Sequence, residues 1–296
     1  MTGGGSRPPV RAWGMALGAM LSIQLGSALS VPLADRVGPA GIAWLRLTAG
    51  AAIFLAVARP SRRSVSRRDI PALVALGVTT GLETVAFLAA IQRIPLGAAV
   101  AVEFLGPLTV AASRTHQRRA LAWPALALAG VVLLTQPWHG RINPTGLGLA
   151  VLAAIGWAAY ILLTQHVGDR FDGVGALSIT IPIAAATAAV IGVPQAAGHL
   201  TLGLIPAAIG LGLLLPVLPY TFEMLALRHI APTAFGTLMA LEPAIGVVLG
   251  LLVLGQQPTG IQLLGVLLVV VAGAAAQGHG RRLRPTAVAA AHHSGT

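Results

Sequence analysis

The sequence predicts an all-α membrane protein with ten transmembrane helices in two inverted five-helix repeats. Three observations carry that prediction. Of 296 residues, 56% are apolar and 9% charged, against roughly 25% charged in soluble domains. The apolar residues gather into ten stretches, each near the ~20 residues a helix needs to cross a bilayer. Threading those stretches through a membrane puts nearly all the positive charge on one side. Eight acids and 19 bases cannot coat a soluble protein of this length, so an ordinary soluble enzyme and a disordered chain are both excluded.

The stretches run at about 12–31, 40–58, 70–91, 94–112, 120–137, 146–166, 174–193, 202–227, 231–254 and 258–276, with ends good to a few residues. The first could pass for a signal peptide, but nine more follow, so it is read as a span. Only Gln92, Arg93, Ile94 and Pro95 divide the third from the fourth, and Pro95 with Gly97 suits a tight turn into a new helix. The tails at 1–11 and 277–296 are rich in Gly, Pro, Ala, His and Arg and are expected to be cytoplasmic, the second disordered. The chain then divides into a first repeat at 12–137, a linker loop at 138–145 and a second repeat at 146–276. No loop can hold a soluble domain, so the function must lie within the membrane.

Charge sets the orientation. All 19 bases are arginine, and there is no cysteine, hence no disulfide and no thiolate metal site. With the N-terminus inside, 15 arginines fall on inner segments, among them Arg11, the cluster from Arg59 to Arg68, Arg170, Arg228 and Arg284. Three, Arg36, Arg93 and Arg141, fall outside, and Arg46 lies within a span. The split places both termini in the cytoplasm and requires an even number of spans. It reads as topology rather than as a nucleic-acid surface, because the arginines sit between apolar stretches.

A repeat supports the division. RIPLGAAVAVEFLGPL from Arg93 parallels RHIAPTAFGTLMALEPAI from Arg228. Each has a base, a proline (Pro95, Pro232), small residues, a mid-span glutamate (Glu103, Glu242) and a further proline (Pro107, Pro243). These are the fourth and ninth spans. An offset of five inverts the second half, an arrangement transporters use for alternating access.

The acids are sorted by depth. Asp35, Asp69, Asp169 and Asp172 fall at loops or span ends, whereas Glu83, Glu103, Glu223 and Glu242 fall inside spans. An acid in mid-membrane costs roughly 2.5–3.5 kcal/mol on insertion scales, so such residues face a cavity or a partner. Glu103 and Glu242 lie near the midplane, and Glu83 somewhat outward; two readings stand for them, groups that serve a polar cavity or protonated acids hydrogen-bonded between helices. Glu223 lies near the inner end, five residues before Arg228, where pairing or interfacial anchoring accounts for it. Two readings stand for Arg46: it snorkels to the outer interface, or its guanidinium faces a cavity and binds a carboxylate. Gln24, Gln165, Tyr160 and Tyr220 are lesser candidates, since a lone Gln or Tyr in a bundle usually ties helices together. Prolines 107, 182, 216, 219 and 243 fall within spans, and Pro107 frees the carbonyl of Glu103. Gly14/Gly18, Gly77/Gly81 and Gly246/Gly250 have the spacing that lets helices approach closely. No zinc-binding His-Glu-x-x-His, P-loop or nucleophile elbow is present, so neither an enzyme, a cofactor nor a metal site is expected.

WLRL at 44–47, GAAVAVEFLGPL at 97–108, LPYTFEMLALRHI at 218–230 and FGTLMALEPAIGVVLG at 235–250 resemble the EamA family of the drug/metabolite transporter superfamily, over about residues 12–276. The nearest likeness within it is to bacterial inner-membrane exporters of threonine and homoserine. The resemblance implies ten helices in two inverted repeats and efflux of amino acids or similar small metabolites. Family members often carry Glu after the Leu-Gly that ends the ninth span. Gln256 stands there in this chain, and no role is assigned to it.

A zwitterionic cargo needs an acceptor for its ammonium and donors for its carboxylate. Glu103 and Glu83 can supply the first, Arg46 or Tyr220 the second, with Glu242 as the repeat counterpart of Glu103. A carboxylate that holds substrate and proton alternately gives proton-coupled export. Aromatic residues make up only 4% of the chain, which argues against flat cationic drugs as cargo. The alternative is a membrane-embedded enzyme or a non-transporting receptor. The expected partners are therefore a small-molecule substrate, the lipid bilayer and protons.

Overall fold

The computed structural model describes residues 10–58, 68–113, 121–136, 138, 143–168, 173–227, 229–230 and 232–281. Among the described residues the chain is helical, without strands. The helices are α1 (Val10–Val37), α2 (Pro39–Ala58), α3 (Ile70–Ile91), α4 (Leu96–Glu103), α5 (Leu105–Ser113), α6 (Ala122–Thr135), α7 (Pro144–Gly168), α8 (Gly173–Ala196), α9 (Leu204–Gly212), α10 (Leu218–Leu227), α11 (Pro232–Met239), α12 (Glu242–Leu254) and α13 (Gly260–Arg281). A π-helical turn, Leu213–Val217, joins α9 to α10. Eight segments are long and apolar enough to cross a membrane, with α4–α5, α9–α10 and the α11–α12 region each serving as one. Two shorter apolar helices, Ala122–Thr135 and Gly260–Ala276, accompany them.

Each predicted stretch corresponds to a helix or a helix pair, and the differences lie at the ends. α1 continues through Pro32 to Val37, past the expected end near residue 31. α13 extends to Arg281, so the segment from 277 begins as helix. α6 is 14 residues, about 21 Å at 1.5 Å per residue, shorter than the ~30 Å hydrocarbon core.

Proline chemistry explains the interruptions. In the fourth stretch the helix is interrupted at Phe104, between Glu103 and Leu105; Pro107 has no N–H to return to the Glu103 carbonyl. In the ninth, Ala240 and Leu241 form a turn ahead of Glu242, and Pro243 cannot donate to Met239. In the eighth, Leu215 is extended (φ −157°, ψ 115°) before Pro216. Pro182 and Pro194 leave α8 unbroken.

The bundle is apolar outside and small-residue inside. Leu82, Ile155, Leu252 and Leu267 are at least half exposed, the face a hydrocarbon solvent wants. The core is dominated by alanine, for instance Ala16, Ala43, Ala99, Ala153 and Ala272, which allows close approach of backbones. The main neighbours are α2 with α8, α3 with α7 and α8, α6 with α13, α1 with α10, and α4 with α12. Gly77 and Gly81 meet Ile183 and Ala184 of α8, and Gly246 meets Gly97 and Val100 of α4. Gly18 abuts Phe222, whereas Gly14 faces open space, so the first glycine pair does not form a crossing.

Candidate functional site

The polar residues that the sequence singles out converge. Arg46 sits in α2, Glu83 in α3 and Glu103 at the end of α4. Each lies about two helical turns from the same end of the bundle, where Gln92 donates to Asp35 across α3 and α1 at 3.3 Å. The Glu83 and Glu103 carboxyls face each other within hydrogen-bonding reach. Arg46 is within electrostatic reach of both. Glu83 is brought close by Gly156 of α7, whose missing Cβ would lie 2.7 Å from the Glu83 Cβ. Phe104 packs edge-on to Trp157 at 6.2 Å and covers the interruption beside Glu103.

Arg46 decides between its two sequence readings. It is 2% exposed, and its Nε and Nη1 have no hydrogen-bond partner. A snorkelling arginine would have its head group in the interface; this one is enclosed with free donors. A buried cation with unused donors is costly unless something pairs with it. The arrangement is therefore suited to an anionic group arriving from outside the protein.

Deeper in the bundle further polar residues follow. Glu242, 3% exposed, opens α12 and lies within electrostatic reach of Glu103 and Glu223. The Tyr160 and Tyr220 hydroxyls lie 3.4 Å apart, and Phe54 meets the Tyr220 ring edge at 6.4 Å. Glu223 is half-buried; its expected partner Arg228 lies outside the described residues, as does the side chain of Gln165. Gln24, in the middle of α1, is 2% exposed and its Oε1 is unbonded. Among the described residues no group of His, Asp and Glu could hold a metal ion. A cavity of about 430 Å³ lies apart from the carboxyl cluster, beside Pro95 and Ala98 at the start of α4 and against Leu134 and Thr259.

Gln256 does have a structural partner. Its Oε1 accepts the Leu96 amide at 3.0 Å, at the start of the helix that ends in Glu103. Gln195 acts likewise on α2, accepting from Ala40 and Gly41 at 2.8 and 3.3 Å. These contacts join positions 154 or more apart in sequence, which no local pattern reports. The available signals were α4 starting at a proline that offers no side-chain cap and a polar residue directly after Gly255.

Helices interrupted beside buried acids, around a cation with free donors, define a membrane transporter rather than a soluble binding protein. A profile of the EamA-like transporter family matches residues 144–275. The threonine/homoserine exporter RhtA of Escherichia coli strain K12 is 37% identical over 257 residues, 86% of this chain and 87% of that protein. RhtA of Salmonella typhimurium strain LT2 is 35% identical over the same shares. The chain belongs to the EamA-like transporter family. A solved crystal structure with 20% identity shares its fold, with a TM-score of 0.62 over 92% of this chain and 99% of that one.

Proposed function

We propose that this protein exports amino acids of the threonine/homoserine kind, or related small metabolites, across a bacterial inner membrane. The observation that carries the reading is Arg46. Its unpartnered buried donors stand beside two facing carboxyls. A zwitterion fits that pair of demands: its carboxylate meets the guanidinium and its ammonium meets Glu83 and Glu103. RhtA, whose name specifies threonine and homoserine, aligns over most of both chains. Proton coupling follows in the same reading, because facing carboxyls can hold a proton when no ammonium is present.

Ten spans in two inverted repeats accord with the packing. Counting α4–α5, α9–α10 and α11–α12 as one span each, exchanging every span with the one five places on maps α2–α8, α4–α12 and α6–α13 onto themselves. It maps α1–α10 onto α3–α7, and α2–α9 onto α3–α8. The arginine split puts both termini in the cytoplasm.

The test is flux in proteoliposomes holding the purified protein, against a panel of amino acids with and without a proton gradient. Threonine and homoserine should move, and faster with the gradient. No flux of any amino acid would remove the reading and leave the receptor or enzyme alternative.

A further inference from the structure

The helices carrying the site's opposite charges are both fastened at the same end by the second half of the chain. α2 holds Arg46 and begins at Pro39; α4 holds Glu103 and begins at Leu96. First-turn N–H groups have no partner within their own helix. Pro95, ahead of α4, supplies no side-chain cap. The missing acceptors come from Gln195 at the end of α8, for Ala40 and Gly41, and from Gln256 just after α12, for Leu96.

The backbone is shaped to aim both side chains. Gly255 ends α12 at φ +66°, a conformation that suits glycine. The Gln256 N–H then returns to the Gly250 carbonyl at 2.9 Å, and the side chain folds over Gly250, where a Cβ would lie 2.6 Å from Oε1. Gly38, between α1 and α2, has φ +74°, and the space of its absent Cβ is filled by the Gln195 side chain. Two distant glutamines, each dependent on a positive-φ glycine, thus serve the same purpose on the two charged helices. The 430 Å³ cavity beside Pro95 and Ala98 leaves α4 room to move on one side once its tie is released.

We infer that Gln195 and Gln256 are positioning residues forming a two-point clasp that holds the Arg46 and Glu103 helices closed at this end of the bundle. Opening the site at that end requires release of these hydrogen bonds. Because α4 is only eight residues long, movement of its tied end carries directly to Glu103. The inference rests on the transporter reading, and goes beyond it by assigning the closure to named residues.

The chain contains no cysteine, so one introduced thiol reports accessibility cleanly. Ala99 in α4 is fully buried and lies between the clasp and Glu103; Ala99→Cys places the reporter there. Labelling by a membrane-impermeant maleimide is followed in intact cells and in inverted vesicles, at matched expression. In the parent the thiol should label slowly. Adding Gln195→Leu and Gln256→Leu should raise labelling from the clasp side alone by about tenfold or more, as expected for losing several hydrogen bonds. Gln256→Glu keeps an acceptor and should leave labelling slow. Unchanged labelling in the double Leu variant overturns the clasp. So does a rise that is equal from both sides, which reports a folding defect, or a rise with Gln256→Glu as large as with Leu. The readout needs no substrate, so failure of amino-acid flux and failure of the clasp are separate results.

Discussion

Replacing Arg46 with methionine separates a ligand-binding arginine from a structural one. Arg46 offers two buried donors, Nε and Nη1, that no protein group uses. The Nε–H and Nη1–H donors point to different edges of the planar guanidinium, so each is free to take a separate acceptor oxygen of an incoming anion. Hydrogen bonds to charged groups contribute about 1.5–3 kcal/mol each. Losing two, part of which water replaces, raises the threonine KM by about 100- to 1000-fold at 1.4 kcal/mol per tenfold. Arg46→Lys keeps the charge but only as a point donor, so its KM should rise by about ten- to thirtyfold. Stability should change little, because the facing Glu83 and Glu103 carboxyls, left without the cation, can share a proton. The assay is threonine uptake into inverted vesicles across a concentration series, with the melting temperature of the purified variant beside it. An Arg46→Met protein with a threonine KM within about threefold of the parent would falsify the assignment. A fall in melting temperature of many degrees alongside lost transport would instead make Arg46 a structural residue.

Two further perturbations test the site and the packing. Glu103→Gln keeps the shape and hydrogen-bonding capacity but cannot ionise; it should express normally, lose most efflux and lose the response of efflux to external pH, with Glu242→Gln milder. Wild-type efflux from resuspended cells carrying Glu103→Gln would return that residue to a structural role. Gly130→Ala puts a Cβ 2.6 Å from the Gly265 carbonyl oxygen and should destabilise the α6–α13 crossing by about 1–3 kcal/mol. Gly210→Ala, where nothing lies within 4 Å, should be neutral or stabilise α9 by up to ~1 kcal/mol, and thermal melts of the two variants in detergent should separate accordingly.

What could be read from the sequence depended on whether the cause was local. Apolar stretches are local, so the helices were foreseen to within a few residues at most ends. Pro107 and Pro243 act on carbonyls one turn away, so the interruptions beside Glu103 and Glu242 were legible too. Depth alone left Arg46 undecided, because a residue two turns from a helix end can point to the interface or inward. That choice is made by α8 and α3 packing against α2, over separations no pattern spans. Burial alone does not say what Gln24 binds, and its Oε1 is free. The sequence assigns Gln256 no role, because family members often have a glutamate at that position. Either side chain offers the oxygen acceptor that the Leu96 amide needs, so the chemistry survives the change of charge.

The inverted-repeat reading also gives the glycines a mechanical sense. Exchange of the two halves maps three helix pairs onto themselves, α2–α8, α4–α12 and α6–α13. Each has glycine on both helices at the point of contact. Gly41 meets Ala196 while Gly192 meets the Ala40 carbonyl; Gly97 meets Val247 while Gly246 meets Gly97; and Gly130 and Gly265 meet each other's carbonyls. Interdigitated leucines would resist relative movement, because closely packed side chains must leave their rotamer wells to slide. At Gly130 with Gly265, and at Gly192 with the Ala40 carbonyl, backbone lies on backbone without such ridges, so these crossings can tilt with little repacking, whereas Gly97 seats the Val247 side chain. Polar ties between the halves at one end of this arrangement are the glutamine contacts to α2 and α4, beside those of Gln262 and Gln136 between α6 and α13. A transporter built this way has smooth pivots between its halves and a separate catch at one end, and it is the catch that sets which side of the site is closed.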